Sequence, residues 1–538
     1  MIEQRLNEII TEAELRQWDN NKPVIIAAGT GTGKNYFIEH GLYQYAQKTG
    51  KNVLLLVNRS ATEESIINRI DSKFPTITYQ KLQKMTKNEA EDFLLPYDYI
   101  ICDEAHYFCN DALFNKTTDR ALNAVFAADD AVRVFMSGTF GEVRDVIYNH
   151  IREAHMDKPV IYKAKSDFSK FNFHFYMDTD TPERVVNGTP DGEKVIAFFD
   201  SAAVAYELYS NHKADSLFIC SQFNDDYAKY VDKAKRKDLL TKEYFPEKYL
   251  FTTNALNNGV NINDDAVTRI ICDVGDVTTL RQCIGRKRIS ERDRQIDIWI
   301  RFRDNAEIES WMRSKQRKID IVDTFQRDVK EYSEKYQEQG EDDSGCIYIN
   351  TNGKATLREC RYYKLKQDVA TYKAILDHGD YGYIKYICTI FRQYHERDGE
   401  TVYEYNIDNM SKEDVEKYLY SLTAEGQRIL HGEEEPVYLD RDARKDFVKR
   451  LGFTHKVGTN KRLYSKIDDL NRCLKDNKFD YQIGEAYQDR RVLWFVEADY
   501  SIPDEVIAIS TTATGNGKYT PEGYRILSDQ EAANLGLF

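Results

Sequence analysis

The stretch that most constrains this chain is Val24-Ile-Ile-Ala-Ala28, followed by Gly29-Thr30-Gly31-Thr32-Gly33-Lys34-Asn35 and a helix-forming run from Tyr36 to Lys48. An unbroken apolar run reads as a strand buried on both faces, and such strands belong to parallel sheets covered by helices. The alternating glycines let the backbone turn tightly, with successive N–H groups facing one point. The helix that begins there adds its positive end. This arrangement is suited to a polyphosphate, with Lys34 reaching its outer phosphates. Ala28 stands where the general pattern starts on glycine. Asn35 stands where a hydroxyl residue ordinarily meets Mg2+, and its carboxamide oxygen is a hard donor that magnesium accepts. ATP and Mg2+ are therefore the expected ligands.

The same grammar continues along the chain. Val53-Leu-Leu-Leu-Val, Ile77-Thr-Tyr, Tyr97-Asp-Tyr-Ile-Ile-Cys and Val132-Arg-Val-Phe-Met read as strands, with a polar helix expected from Ala61. It then repeats in Val195-Ile-Ala-Phe-Phe, Ser216-Leu-Phe-Ile-Cys, Tyr249-Leu-Phe-Thr-Thr, Thr268-Arg-Ile-Ile-Cys and Ile296-Asp-Ile-Trp-Ile. Apolar strands alternating with helices predict two α/β units in tandem, joined near Lys163 to Lys170.

The strand ending at Cys102 runs into Asp103-Glu104-Ala105-His106. At the carboxyl end of a parallel strand, side chains project into the ligand crevice. Asp103 is expected to hold the metal, and Glu104 to orient and deprotonate a water. His106 is expected to relay the nucleotide state to the second unit.

Together, the loop at Ala28 to Asn35, this Asp-Glu-Ala-His box and Ser137-Gly-Thr139 resemble a superfamily 2 helicase with a DEAH-type box. The resemblance implies two tandem RecA-like parallel-sheet domains, at 1–165 and 166–305. It implies that Ser137 and Thr139 couple hydrolysis to lobe movement, and that Arg59 and Thr78 contact nucleic acid. Gln282-Cys-Ile-Gly285-Arg286-Lys-Arg288 resembles the family's last motif, in which an arginine crosses to the γ-phosphate; its short spacing leaves both Arg286 and Arg288 as candidates for that finger. Thr252-Thr253-Asn254 with Gly259-Val-Asn261 resembles the motif linking nucleotide and strand, with Asn261 in place of the usual aspartate. Ser201 matches a residue that touches a backbone phosphate. The short form of the last motif is reminiscent of phage, prophage or viral replication helicases of the origin-binding kind.

After about Asn305 the texture changes to long charged helices, including Ala306 to Gln337. Gln337 to Ser344 is read as a linker that closes a segment at 306–345. The accessory region at 346–538 is read as mainly α, and Ile467 to Lys475 followed by paired strands would fit a winged helix. For Trp494 and Tyr481 beside that turn, core packing is the stronger expectation and base stacking the weaker.

The net charge of −14 argues against a chain coated in nucleic acid, but Arg281 to Arg303 is a basic stretch where phosphates could be met locally. The nine cysteines are scattered with no C-x-x-C pair, the mark of incidental thiols. No apolar run approaches the roughly 18 residues of a membrane span. The expectation is a cytosolic ATP-dependent helicase acting on nucleic acid, DNA before RNA, in replication, recombination or repair of a phage, mobile element or bacterium. A duplex translocase that does not unwind, and an ATP-switched nucleic-acid sensor, are the rival readings.

Overall fold

Two parallel sheets grow from the apolar runs. The computed structural model describes residues 5–29, 31–58, 75–164, 166–256, 261–289, 294–349, 353–397, 400–408, 412–457, 460–488 and 491–498. Thr30, Arg59, Gly259 and the helix expected from Ala61 lie outside these residues.

The first sheet holds β1 (Val24–Ala28), β2 (Val53–Val57), β3 (Thr76–Thr78), β4 (Tyr99–Cys102), β5 (Val132–Ser137) and β6 (Val160–Ala164), in the order β3-β2-β4-β5-β1-β6. Every pairing in it is parallel. Each residue of β2, β4 and β5 is buried because helices cover both faces. Burying a leucine such as Leu54 or Leu56 contributes about 1.5–3 kcal/mol against leaving it in water.

The second sheet holds β7 (Phe171–Tyr176), β8 (Lys194–Phe199), β9 (Ser216–Ile219), β10 (Tyr249–Thr253), β11 (Val267–Asp273) and β12 (Ile296–Arg301). A short strand, Asn406–Asp408, pairs with β7 and completes a seven-stranded parallel sheet. The fold is thus a tandem pair of RecA-like α/β domains followed by a mainly helical C-terminal region.

Beyond the second sheet, the long helix expected at Ala306 to Gln337 is broken. Asn305–Arg327 ends at Asp328, whose side chain accepts from Lys330 N and Glu331 N and so starts a new turn at Val329. The expected linker is packed: Tyr332 donates to Asp342 at 2.8 Å, and Ser344 is fully buried. The helices Glu359–Asp377 and Gly382–Phe391 follow. Tyr383 to His395 reads from the sequence as one helix, but it stops at Phe391 because Arg392 turns left-handed at φ 56°, and Tyr394–Arg397 becomes a strand.

By compactness the chain divides into two units. The first holds both sheets and the chain as far as 408. The second is built largely from 412–454 and 463–498. Its core joins Leu419, Phe447, Leu470, Leu474 and Ile483. There Ile467–Asp476 precedes a hairpin of Tyr481–Gln488 and Arg491–Ala498. Trp494 and Tyr481 are buried in that core. Among the described residues, no helix is long and apolar enough to cross a membrane.

Candidate functional site

β1 delivers the chain into a loop where Gly31 (φ 81°) and Gly33 (φ 86°) take left-handed backbone that side chains disfavour. Gly29 lies close against Ser166, whose Oγ a Cβ there would meet at 2.0 Å unless the hydroxyl turned away. Thr32, fully buried, donates its hydroxyl to the Gly29 carbonyl at 2.8 Å and braces the loop. Lys34 and the half-buried Asn35 open the helix that follows. That helix widens into a π turn over Phe37–Leu42 before continuing as Tyr43–Thr49.

β4 carries the acidic box to the same crevice. Asp103 N donates to the Leu56 carbonyl at 3.0 Å, and Ala105 N to the Met136 carbonyl at 2.8 Å, which pins the box between β2 and β5. Between these anchors Glu104 is forced to φ 48°, a strained value for a non-glycine residue and one that tends to mark functional positions. Its Oε1 accepts from Lys34 Nζ at 3.1 Å. Burial works most strongly against the charge of Glu104, but Lys34, with His106 and Arg286, outweighs it and holds the carboxyl well below its ordinary range. Asp103 shifts the opposite way, raised by burial and then by the neighbouring Glu104. Its Oδ1 is buried and has no hydrogen-bond partner among the described residues.

His106 joins three of the expected motifs. Its Nδ1 lies 3.0 Å from Ser137 Oγ and 3.4 Å from Glu104 Oε2, while Gln282 Nε2 donates to its Nε2 at 2.8 Å. An acceptor Nε2 leaves the proton on Nδ1, so the ring is neutral. Burial has the same effect, pushing its pKa down to about 4. Ser137 Oγ also accepts from Thr139 N at 3.0 Å. Thr139 Oγ1 is buried without a partner among the described residues.

The second sheet contributes Gln282 from the helix Val277–Ile284, and Arg286 just beyond it. Arg286 is buried and braced by its Nε donating to the Gln282 carbonyl at 3.0 Å. Burial lowers its pKa, while Glu104 and Asp103 act to keep it charged. Arg288 is turned elsewhere: its Nε donates to Asn261 Oδ1 at 2.8 Å, and Asn261 Nδ2 donates to Glu243 Oε1 at 3.0 Å.

A narrow, partly open cleft between the two sheets is lined by Gly29, Glu104, His106, Gly138, Thr139, Ser166, Phe168, Arg281, Gln282 and Arg286. Of the expected site residues, Arg288 and Asn261 pair with each other, and Thr253 ends β10. Thr78 and Ser201 serve as N-caps, accepting from Lys81 N and Val204 N. Arg281, whose Nη2 donates to the Gly138 carbonyl at 3.4 Å, was legible only as part of a basic stretch. Ser166 and Phe168 carried no signal at all, because their place depends on how the link between the sheets folds back over Gly29.

No protein-family model matches the chain, and no curated protein matches it. Among solved structures it is similar to S. cerevisiae Dbp5 bound to RNA and ADP BeF3, at 15% identity over 52% of this chain and 79% of that one, with a TM-score of 0.37. It is similar to the Escherichia coli DEAH/RHA helicase HrpB at 14% identity, covering 55% and 42% of the two chains, TM-score 0.39. The DEAD-box helicase Mss116 bound to ssRNA and UDP-BeF gives 12% identity, 58% and 79% coverage, and a TM-score of 0.40. At such values the functional reading rests on the residues of the cleft.

Proposed function

We propose that this chain is an ATP hydrolase of the helicase type, coupling ATP turnover to movement on nucleic acid and to strand separation. The observation that carries this reading is that Glu104, ion-paired to Lys34, and Arg286 line one cleft between two parallel sheets. In this reading the loop from Gly29 to Lys34 takes the phosphates through its N–H groups, and Lys34 leaves Glu104 for the β- and γ-phosphates. The freed carboxylate orients a water in line with the γ-phosphorus and accepts its proton. Arg286, always charged and forked, meets the charge that develops on the transferred phosphoryl oxygens. His106 senses that change through Glu104 and passes it to Gln282 in one direction and Ser137 in the other.

Asp103 and Asn35 would hold Mg2+. The unpartnered Asp103 Oδ1 and a carboxamide oxygen make the hard donor set such an ion accepts. When bound there, such an ion would supply positive charge against the charge of the phosphates. Arg59, Thr78, Ser201 and Thr253 are proposed to follow the nucleic-acid backbone, so movement would be largely independent of sequence. The finer assignments, a DEAH-type superfamily 2 enzyme of phage, prophage or viral replication acting on DNA, belong to the same proposal.

The test is ATP turnover measured in parallel with single-stranded DNA, duplex DNA and RNA, beside displacement of a labelled strand from a fork. Stimulated turnover with displaced strand is the expected result. Stimulation without displacement means a translocase, and binding without turnover means a nucleotide switch.

A further inference from the structure

The helix Glu359–Asp377 belongs to neither sheet yet enters the cores of both lobes. Near its start Cys360 is buried in the core beneath β4 and β5. Cys360 N donates to Asp119 Oδ1 at 2.8 Å, and Arg361 Nη1 donates to the Leu113 carbonyl at 2.7 Å. Near its end Ile375 is buried in the core of the second sheet, with Tyr372 and Leu376 packed against it. One rigid element therefore touches both sides of the cleft.

Between these two anchors lies a buried ionic node. Lys364 has a side chain only 2% exposed, and its Nζ donates to Glu142 Oε2 at 3.0 Å, Asp276 Oδ2 at 3.0 Å and Asp368 Oδ1 at 2.7 Å. The second oxygen of Asp368 takes Lys315 Nζ at 3.1 Å, and the Thr278 hydroxyl donates to Glu142 Oε1. The partners come from distinct places. Glu142 sits in the first turn of the helix Gly141–Glu153, directly after Ser137 to Thr139. Asp276 caps the helix Val277–Ile284, which carries Gln282 and leads to Arg286, by accepting from Thr279 N at 2.7 Å. The ammonium thus ties together the two segments that present opposite halves of the cleft.

A node of this kind adds little net stability, since desolvating the ions offsets most of their attraction, but losing one member leaves charge buried and unpaired. Its effect is geometric. The lobes cannot separate along this edge without breaking bonds to Lys364.

We propose that Lys364 is an interlobe positioning residue, and that its helix is a built-in strap fixing the spacing at which Arg286 faces Glu104 across the cleft. The proposal rests on reading the cleft as the site of ATP hydrolysis. A misplacement of about 1 Å in such a site can cost on the order of a hundredfold in rate. Substrate contacts made by one lobe alone would be spared.

The test uses the full chain with Lys364→Met, Lys364→Arg and Thr278→Val, each checked for intact strand amide protection. For Lys364→Met we expect kcat to fall by about tenfold or more while KM for ATP stays within about threefold. Lys364→Arg should recover most of the rate. Without nucleotide, amides of Gly141–Glu153 and Val277–Ile284 should exchange faster in Lys364→Met than in wild type. If Lys364→Met fails to fold, Thr278→Val, which removes only the hydroxyl that joins the lobes directly, should show the same pattern in weaker form. A folded Lys364→Met with wild-type kcat and wild-type exchange overturns the proposal, as does a wild-type Thr278→Val where Lys364→Met cannot fold. A wild-type chain without ATPase activity, but with faster exchange in Lys364→Met, overturns the reading of the cleft and leaves the strap standing.

Discussion

Lys34 Nζ donates to Glu104 Oε1 at 3.1 Å, so the phosphate-loop lysine and the proposed base neutralise each other across the floor of the cleft. In the proposed mechanism an arriving polyphosphate competes for Lys34 and in doing so releases the carboxylate. Glu104→Gln removes the base and the ion pair together while keeping the shape. It is expected to lower kcat by about 10²–10⁴-fold while binding ATP at least as well as wild type, because Lys34 is freed. Equilibrium nucleotide binding beside single-turnover hydrolysis checks this. Turnover at the wild-type rate means the base is another residue.

The two arginines of the last motif should separate cleanly. Arg286 lines the cleft, whereas Arg288 bonds to Asn261. Arg286→Ala is expected to lose about 10³-fold in kcat, the scale of an arginine finger. Arg288→Ala should cost far less turnover but lower Tm by about 2–4 °C, since Asn261 and Glu243 lose their brace. Steady-state ATPase and thermal unfolding of both variants decide it, and equal losses of turnover would contradict the assignment.

His106 gives a dependence on pH. In the folded chain burial holds the ring neutral down to about 4, while an unfolded histidine titrates near 6.5. Between those values the unfolded chain binds a proton that the folded chain refuses, so stability rises with pH there. The contribution is complete above the unfolded value and falls away as pH drops toward 4. From pH 7 to pH 5, wild type should lose on the order of 2 kcal/mol more than His106→Gln. Denaturant unfolding of both proteins at the two pH values measures it, and parallel losses would contradict a buried neutral ring.

Much of this was legible because short-range chemistry decides it. Val53 to Val57 reads as a strand buried on both faces and is one, and the glycines between a strand and a helix mark a tight turn, which Gly31 and Gly33 make with left-handed backbone. What stayed hidden depends on distant partners. Nothing near Gln282 says that its amide meets His106, or that Arg286 and Arg288 point apart, because the short spacing admits either arginine. Asp328 broke an otherwise continuous helical pattern by capping the next turn, a choice made by one side chain against the periodicity. Lys364 opens a stretch to His378 that reads from the sequence only as a helix with an apolar face, and only the meeting of Glu142, Asp276 and Asp368 shows its ammonium as buried.

Asn35 bears on the metal. If its carboxamide is a ligand, Asn35→Thr restores a hydroxyl and should lower the Mg2+ concentration for half-maximal turnover, whereas Asn35→Ala should raise it by about tenfold. Magnesium titrations at saturating ATP test this. Identical curves for all three proteins would place the ligand elsewhere.

The most direct test of the central claim is Mg2+-dependent ATP hydrolysis by the full chain, with and without single-stranded nucleic acid, beside Lys34→Ala. Wild type should turn over ATP, faster with nucleic acid, and Lys34→Ala should do neither. Turnover unchanged by Lys34→Ala, or none in wild type at any magnesium concentration, would contradict it.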